Sequence, residues 1–118
     1  MAAVAKLMET KPAIGVEHLG RMTLGERSLE REVLELFDRQ AHILLPRIRR
    51  GDPALAAASA HTLKGSALGI GAFEVARAAE AVERAQKNGR DGNVMTAIDT
   101  LAVVLEETKA EIARLLAN

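Results

Sequence analysis

His61 and Lys64 stand three residues apart, with Gly65 directly after them, in the stretch Ala60-His61-Thr62-Leu63-Lys64-Gly65-Ser66. Neutral imidazole is a nucleophile whose ordinary pKa lies near physiological pH, so a useful fraction can attack an electrophile such as a phosphoryl group. A lysine one turn away is a compact positive charge suited to phosphate. The glycine is the odd member. In a helix interior it costs about 0.5–1 kcal/mol relative to alanine, which signals a need for close approach. Winding the segment at the helical repeat puts His61, Lys64, Gly65 and Leu68 on one face, together with Ala54 and Ala57. Leu55, Ser59, Leu63, Ser66 and Ile70 fall on the other face, as the expected core stripe. The histidine is therefore expected to point outward, among small residues and one cation, where a large partner can reach it.

Phosphoryl transfer passes through a loose, in-line transition state and depends mainly on positioning and charge stabilisation. If a partner brings Mg²⁺ and an acidic pocket, a phosphate-accepting histidine needs little from its own chain. It needs exposure, a nearby cation such as Lys64, room on the adjacent turn at Gly65, and a group that holds its other ring nitrogen. For that last role the following helix offers Glu83 and Gln86. The count of residues out to Gly71 and back favours Glu83. A carboxylate so placed orients the imidazole and stabilises its cationic form.

These residues need helices to hold them, and the sequence supplies them in order. Met1 to about Gly15 is alanine-rich, then broken by Pro12 and Gly15, and is expected to be loosely ordered. Val16 to Met22 reads as a short helix between Gly15 and Gly25. From Glu26 a longer one begins, with Leu29, Val33, Leu36, Phe37, Gln40, Leu44 and Ile48 as its expected buried stripe and Pro46 expected to bend or break it. Arg47, Arg49 and Arg50 put positive charge on its last turn, and Gly51 is expected to end it in a left-handed conformation. Asp52 is then a strong N-cap, with Pro53 at the first helical position. One helix stops and the next starts within three residues, so the two must run antiparallel.

The His61 helix is expected from Pro53 to about Gly69, with the Gly69-Ile70-Gly71 triplet turning the chain into a helix over Ala72 to Lys87. Asn88 to Asn93 is a turn. Val94, Ile98, Leu101, Leu105, Thr108, Ile112 and Leu115 mark a last helix with a near-heptad stripe. No strand signal, repeat or low-complexity tract interrupts this pattern. The fold class is all-α: an up-and-down antiparallel four-helix bundle with a short extra N-terminal helix, a single domain over 1–118.

Composition excludes several functions. There are 16 Lys plus Arg against 16 Asp plus Glu, so no global field favours nucleic acid or an acidic membrane. Phe37 and Phe73 are the only Phe, Trp or Tyr residues, leaving no base-stacking platform. Cysteine is absent, which excludes disulfides and thiol chemistry and fits a reducing compartment. His18 and His42 lack ligand-type neighbours at metal-binding spacing, so no metal is expected. No apolar run reaches the length of a membrane span, and the N-terminus does not read as a secretory signal. A cytoplasmic location is the expectation. Paired carboxylates and nucleophile triads are also missing. The chain is too short for a nucleotide-binding domain and has no glycine-rich phosphate loop.

His61-Thr62-Leu63-Lys64-Gly65-Ser66 followed by Gly71-Ala72 resembles the signature of histidine-containing phosphotransfer domains. The similarity runs from about Val16 through Glu83 and takes in the Phe37 position and the Gly51-Asp52 turn. The resemblance implies a helical bundle whose histidine takes a phosphoryl group from the aspartate of one receiver domain and passes it to another. It implies His61 as phosphoacceptor, Lys64 as charge partner, Gly65 as clearance for the partner and Glu83 as the ring-orienting acceptor. Ala54, Ala57 and Leu68 would meet the partner. Implied partners are response-regulator receivers and a hybrid or sensor histidine kinase, with the chain a monomeric carrier without kinase activity. No cofactor is expected on the chain itself, Mg²⁺ belonging to the receiver. The other reading is a non-catalytic helical adaptor or dimerisation bundle that binds signalling partners without phosphotransfer.

Overall fold

The computed structural model describes residues 13–88 and 92–117. The expected loose order of the N-terminus falls, for residues 1–12, outside the described residues, as does the 89–91 part of the expected turn. Among the described residues there are five helices and no strand: α1 (Val16–Met22), α2 (Arg27–Arg50), α3 (Pro53–Ile70), α4 (Phe73–Lys87) and α5 (Gly92–Ala117). The four long helices form an up-and-down antiparallel bundle. Helix α3 packs between α2 and α4, α5 closes the ring against α4 and α2, and α1 rests on α3. Cross-helix bonds fix the directions. Arg31 Nη1 donates to the Leu116 carbonyl at 2.6 Å, while Arg49 at the far end of α2 lies 3.8 Å from Asp99.

The α2–α3 corner follows local chemistry. Asp52 Oδ1 accepts from the Leu55 N–H at 2.8 Å, and Pro53 opens α3 at a position whose missing N–H is not needed. Gly51 differs from expectation: it is extended (φ −72°, ψ 161°), not left-handed. Glycine is required there for space, since a Cβ would collide with the Arg47 carbonyl oxygen, and Leu55 already closes over the site. Pro46 does not break α2, which runs unbroken to Arg50. It lies on the exposed side, where water can serve the carbonyl left without an N–H donor.

The left-handed turn comes at the other end of α3. Gly71 has φ +77°, and its carbonyl accepts from the Gly15 N–H at 2.9 Å, which ties the start of α1 to the α3–α4 corner. A Cβ at Gly71 would lie 3.0 Å from the Gly15 oxygen and 3.3 Å from the His18 Cβ. Gly71→Ala is accordingly expected to destabilise the fold by about 1–2 kcal/mol from backbone strain alone. A lowered urea midpoint at unchanged slope would register it.

Two buried stripes differ from those expected. On α2 the core residues are Leu34, Phe37, Ala41, Leu44 and Ile48, while Leu36 is 48% exposed and Leu29 and Val33 are half-buried. On α3 the buried set is Ala56, Ser59, Ala60, Leu63, Ala67 and Ile70, whereas Leu55 is 45% exposed and Ser66 half-buried. The reason is that α3 has a neighbour on each flank. It must be thin on both sides, and alanine lets the axes approach closely. Leu63, Leu101, Leu105 and Ile112 are fully buried in the core that the described helices share.

Candidate functional site

Helix α3 carries His61 on the side facing away from the core, and 68% of its side chain is exposed. Because α3 and α4 run antiparallel through the Gly71 corner, Glu83 comes back level with His61. Its two carboxylate oxygens lie 3.3 and 3.2 Å from His61 Nδ1. An ionised carboxylate can only accept, so Nδ1 carries the proton and Nε2 is the nitrogen left with a lone pair. Gln86, the other candidate for this contact, turns inward instead and is buried. Glu83 also accepts from Lys87 Nζ at 3.3 Å, one helical turn further along α4. The Glu83 side chain is only 14% exposed. Burial by itself would raise its carboxyl, but the hydrogen bonds and charges of His61 and Lys87 outweigh that and hold it below its ordinary value of 4.5.

A carboxyl depressed in the folded state contributes stability that is present above its ordinary value and lost as pH falls through the lowered one. The His61–Glu83 link is expected to stay intact at pH 5 and above and to loosen only below about 4.5. Urea unfolding of wild type and Glu83→Gln at stepped pH checks this: on the acid side, the difference in stability should shrink only within that window.

The remaining residues singled out from sequence divide in two. Gly65 is exposed, and a Cβ built on it would meet nothing within 4 Å, so the backbone beside His61 is bare. Ala54 is exposed, Ala57 half-buried and Leu68 43% exposed, all on the His61 side of α3. Lys64 takes the flank towards α4. Its Nζ lies 3.9 Å from Glu80 Oε1, which also faces Arg84 at 3.9 Å. The shallow depression around the imidazole is lined by Ala57, Ala58, His61, Thr62, Glu83 and Lys87, without Lys64. Thr62 bonds back to the Ala58 carbonyl, as its place in a helix suggests. Ser66 does not, since its hydroxyl reaches across to Gln40 Oε1 at 2.7 Å.

Sequence reasoning passed over two features here. One is Lys87, which the same spacing that returns Glu83 to His61 also brings alongside. On the other flank an apolar pocket lies between the α1–α2 corner, α2 and α3, lined in part by Met22, Leu36, Phe37, Ser66 and Gly69. Gly69 is one turn on from Gly65, so the pocket continues the bare side of α3. Leu36, expected in the buried stripe of α2, is exposed because of how α2 is rotated about its axis.

Comparison with known proteins places this arrangement. The Hpt domain model matches residues 26–118, most of the chain and all of the site. The chain belongs to the Hpt domain family. Among solved structures, a putative histidine-containing phosphotransfer protein from rice superposes with a TM-score of 0.79 at 16% identity, over 98% of this chain and 88% of the other. The histidine phosphotransferase ShpA from Caulobacter crescentus superposes at 0.57 with 30% identity, over 88% of this chain and 98% of that one. No curated protein sequence matches the chain. The rice protein shares the Hpt bundle; the Caulobacter protein shares closer sequence as well. Among the described residues of this Hpt chain no group of three or more His, Asp or Glu side chains could hold a metal, and no helix is long and apolar enough to cross a membrane.

Proposed function

We propose that this Hpt domain is the phosphoryl carrier of a phosphorelay, with His61 as the residue that is phosphorylated. The observation that carries the reading is the imidazole itself: exposed, held at Nδ1 by Glu83, and flanked by the bare turn at Gly65. In the forward step the Nε2 lone pair attacks the phosphorus of a receiver's aspartyl phosphate. The Nε2–P bond forms, the acyl P–O bond breaks, and the aspartate leaves as a carboxylate. The Nδ1 proton stays in place, so the phosphorylated ring is cationic and Glu83 offsets its charge. Passing the group to a second receiver reverses the same bonds. Mg²⁺ belongs to the receiver, where it neutralises charge on the transferring group. Lys64 adds a positive charge on the approach from α4. No step requires a nucleotide on this chain.

The partner's surface would cover Ala54, Ala57, Gly65 and Leu68 and extend over Gly69, Leu36 and Met22. A receiver must seat its aspartate against Nε2, and exposed apolar residues beside bare backbone permit that approach. Other partners of the same reading are a hybrid or sensor histidine kinase upstream, with the chain acting as a monomer.

Radiolabel transfer from a panel of phosphorylated receiver domains tests the proposal. The expected result is label on this chain in an acid-labile, alkali-stable form, as a phosphoramidate requires. A panel that leaves the chain unlabelled, while partners still bind it, would instead favour a helical adaptor.

A further inference from the structure

One carboxylate in the site serves two donors. Glu83 Oε2 lies 3.2 Å from His61 Nδ1 and 3.3 Å from Lys87 Nζ. The two contacts have opposite consequences for His61. A carboxylate beside an imidazole favours the imidazolium, and an imidazolium has no lone pair at Nε2 with which to attack phosphorus. A cation on the same carboxylate draws off part of that field. Among the described residues, the charged groups paired around this corner are Glu80, Glu83, Arg84 and Lys87 from α4 and Lys64 from α3. Of these, only Glu83 and Lys87 line the depression around His61, and no charged residue of α2 or α5 does.

We propose that Lys87 is a positioning residue for His61: by sharing the Glu83 carboxylate it limits how far that carboxylate favours the imidazolium, and so keeps Nε2 able to attack. Lys87 is 67% exposed, and on its own its ammonium would move through solvent. Glu83 is what tethers the charge near the ring. The influence of Lys87 on His61 therefore exists only while Glu83 is anionic. An ordinary i,i+4 helix pair with Glu N-terminal to Lys would add a few tenths of a kcal/mol to stability and do nothing to the ring. The role in acceptance rests on the phosphocarrier reading, but the effect on the ring does not.

The test is an NMR titration of the histidine rings in the purified chain, with His18 and His42 as internal references. Lys87→Met is expected to move the pH at which the His61 signals titrate upward, because a positive charge that disfavours the imidazolium is removed. Lys87→Arg should restore the wild-type midpoint. In a Glu83→Gln background, Lys87→Met should leave His61 where it was. An unmoved His61 in Lys87→Met overturns the proposal, and so does an equal shift with and without Glu83, which would mean direct repulsion from an untethered charge. Phosphate acceptance, followed against pH with a competent receiver, should show its acid limb displaced upward in Lys87→Met by the same amount. A titration shift in a chain that no receiver labels would uphold the role of Lys87 while removing the phosphocarrier reading.

Discussion

Replacing His61 by glutamine is expected to abolish phosphate acceptance outright while leaving the bundle as stable as before. Glutamine is a good helix former, and at a side chain 68% exposed the exchange touches no core contact, so stability should change by no more than about 0.5 kcal/mol. The amide can still donate to Glu83, which keeps the carboxylate from losing its partner. What vanishes is the lone pair at Nε2, for which no other atom of the site substitutes. Lys64 and Lys87 are ammonium groups, and Thr62 Oγ1 is committed to the Ala58 carbonyl. The measurement is label transfer from a phosphorylated receiver, with thermal unfolding run beside it. A His61→Gln chain that still takes up acid-labile label would move the acceptor elsewhere, to exposed His42 first, and would end the assignment made here.

The second large effect reverses the usual relation between stability and activity. Gly65→Gln should raise the stability of α3 by about 0.5–1 kcal/mol, because a helix-interior glycine is being removed and a Cβ there meets nothing within 4 Å. Transfer should nonetheless fall by about a hundredfold or more. The reacting atoms in a phosphoryl transfer must come within near-attack distance, and a misplacement of about 1 Å is enough for a loss of that order. A side chain rising from the turn next to His61 holds the receiver's aspartate back by more than that. Gly65→Ala, adding one carbon, should show the same gain in stability with a smaller loss of transfer. If Gly65→Gln transferred at the wild-type rate, the bare turn would not be where the partner docks, and the proposed docking face would be wrong.

Between them these two variants separate chemistry from access. His61→Gln removes the nucleophile and should leave receiver binding largely in place. Gly65→Gln keeps the nucleophile and should weaken binding and transfer together.

The residues around His61 show how far local pattern reaches. Asp52 and Pro53 announced the start of α3 because capping is local: the acceptor lies three residues from the N–H it satisfies. The outward direction of His61 followed from helical periodicity, since the leucine and isoleucine of α3 that reach the core, Leu63 and Ile70, lie on the opposite side. Glu83 was reachable because the Gly71 corner makes an antiparallel hairpin, in which residues equally far from the turn are neighbours.

Other features were decided only by packing. Periodicity gives the faces of a helix in its own frame, but the rotation of that frame about its axis is set by the neighbours. For that reason Leu36 and Leu55 proved exposed while Leu34 and Ala56 took the buried places. A serine's choice between its own helix and the next is likewise a matter of interaxial distance, and the close approach of α2 gave Ser66 to Gln40. Gly51 was rightly expected to be special, yet the cause was the nearby Arg47 carbonyl and not a left-handed backbone. The sharing of Glu83 between His61 and Lys87 is of the same kind. Sequence by itself determined that there would be a helical bundle with an outward histidine, because each helix's pattern is short-range. Only the tertiary structure decided what charge and what open surface surround that histidine, because those depend on how neighbouring helices are rotated and set against one another.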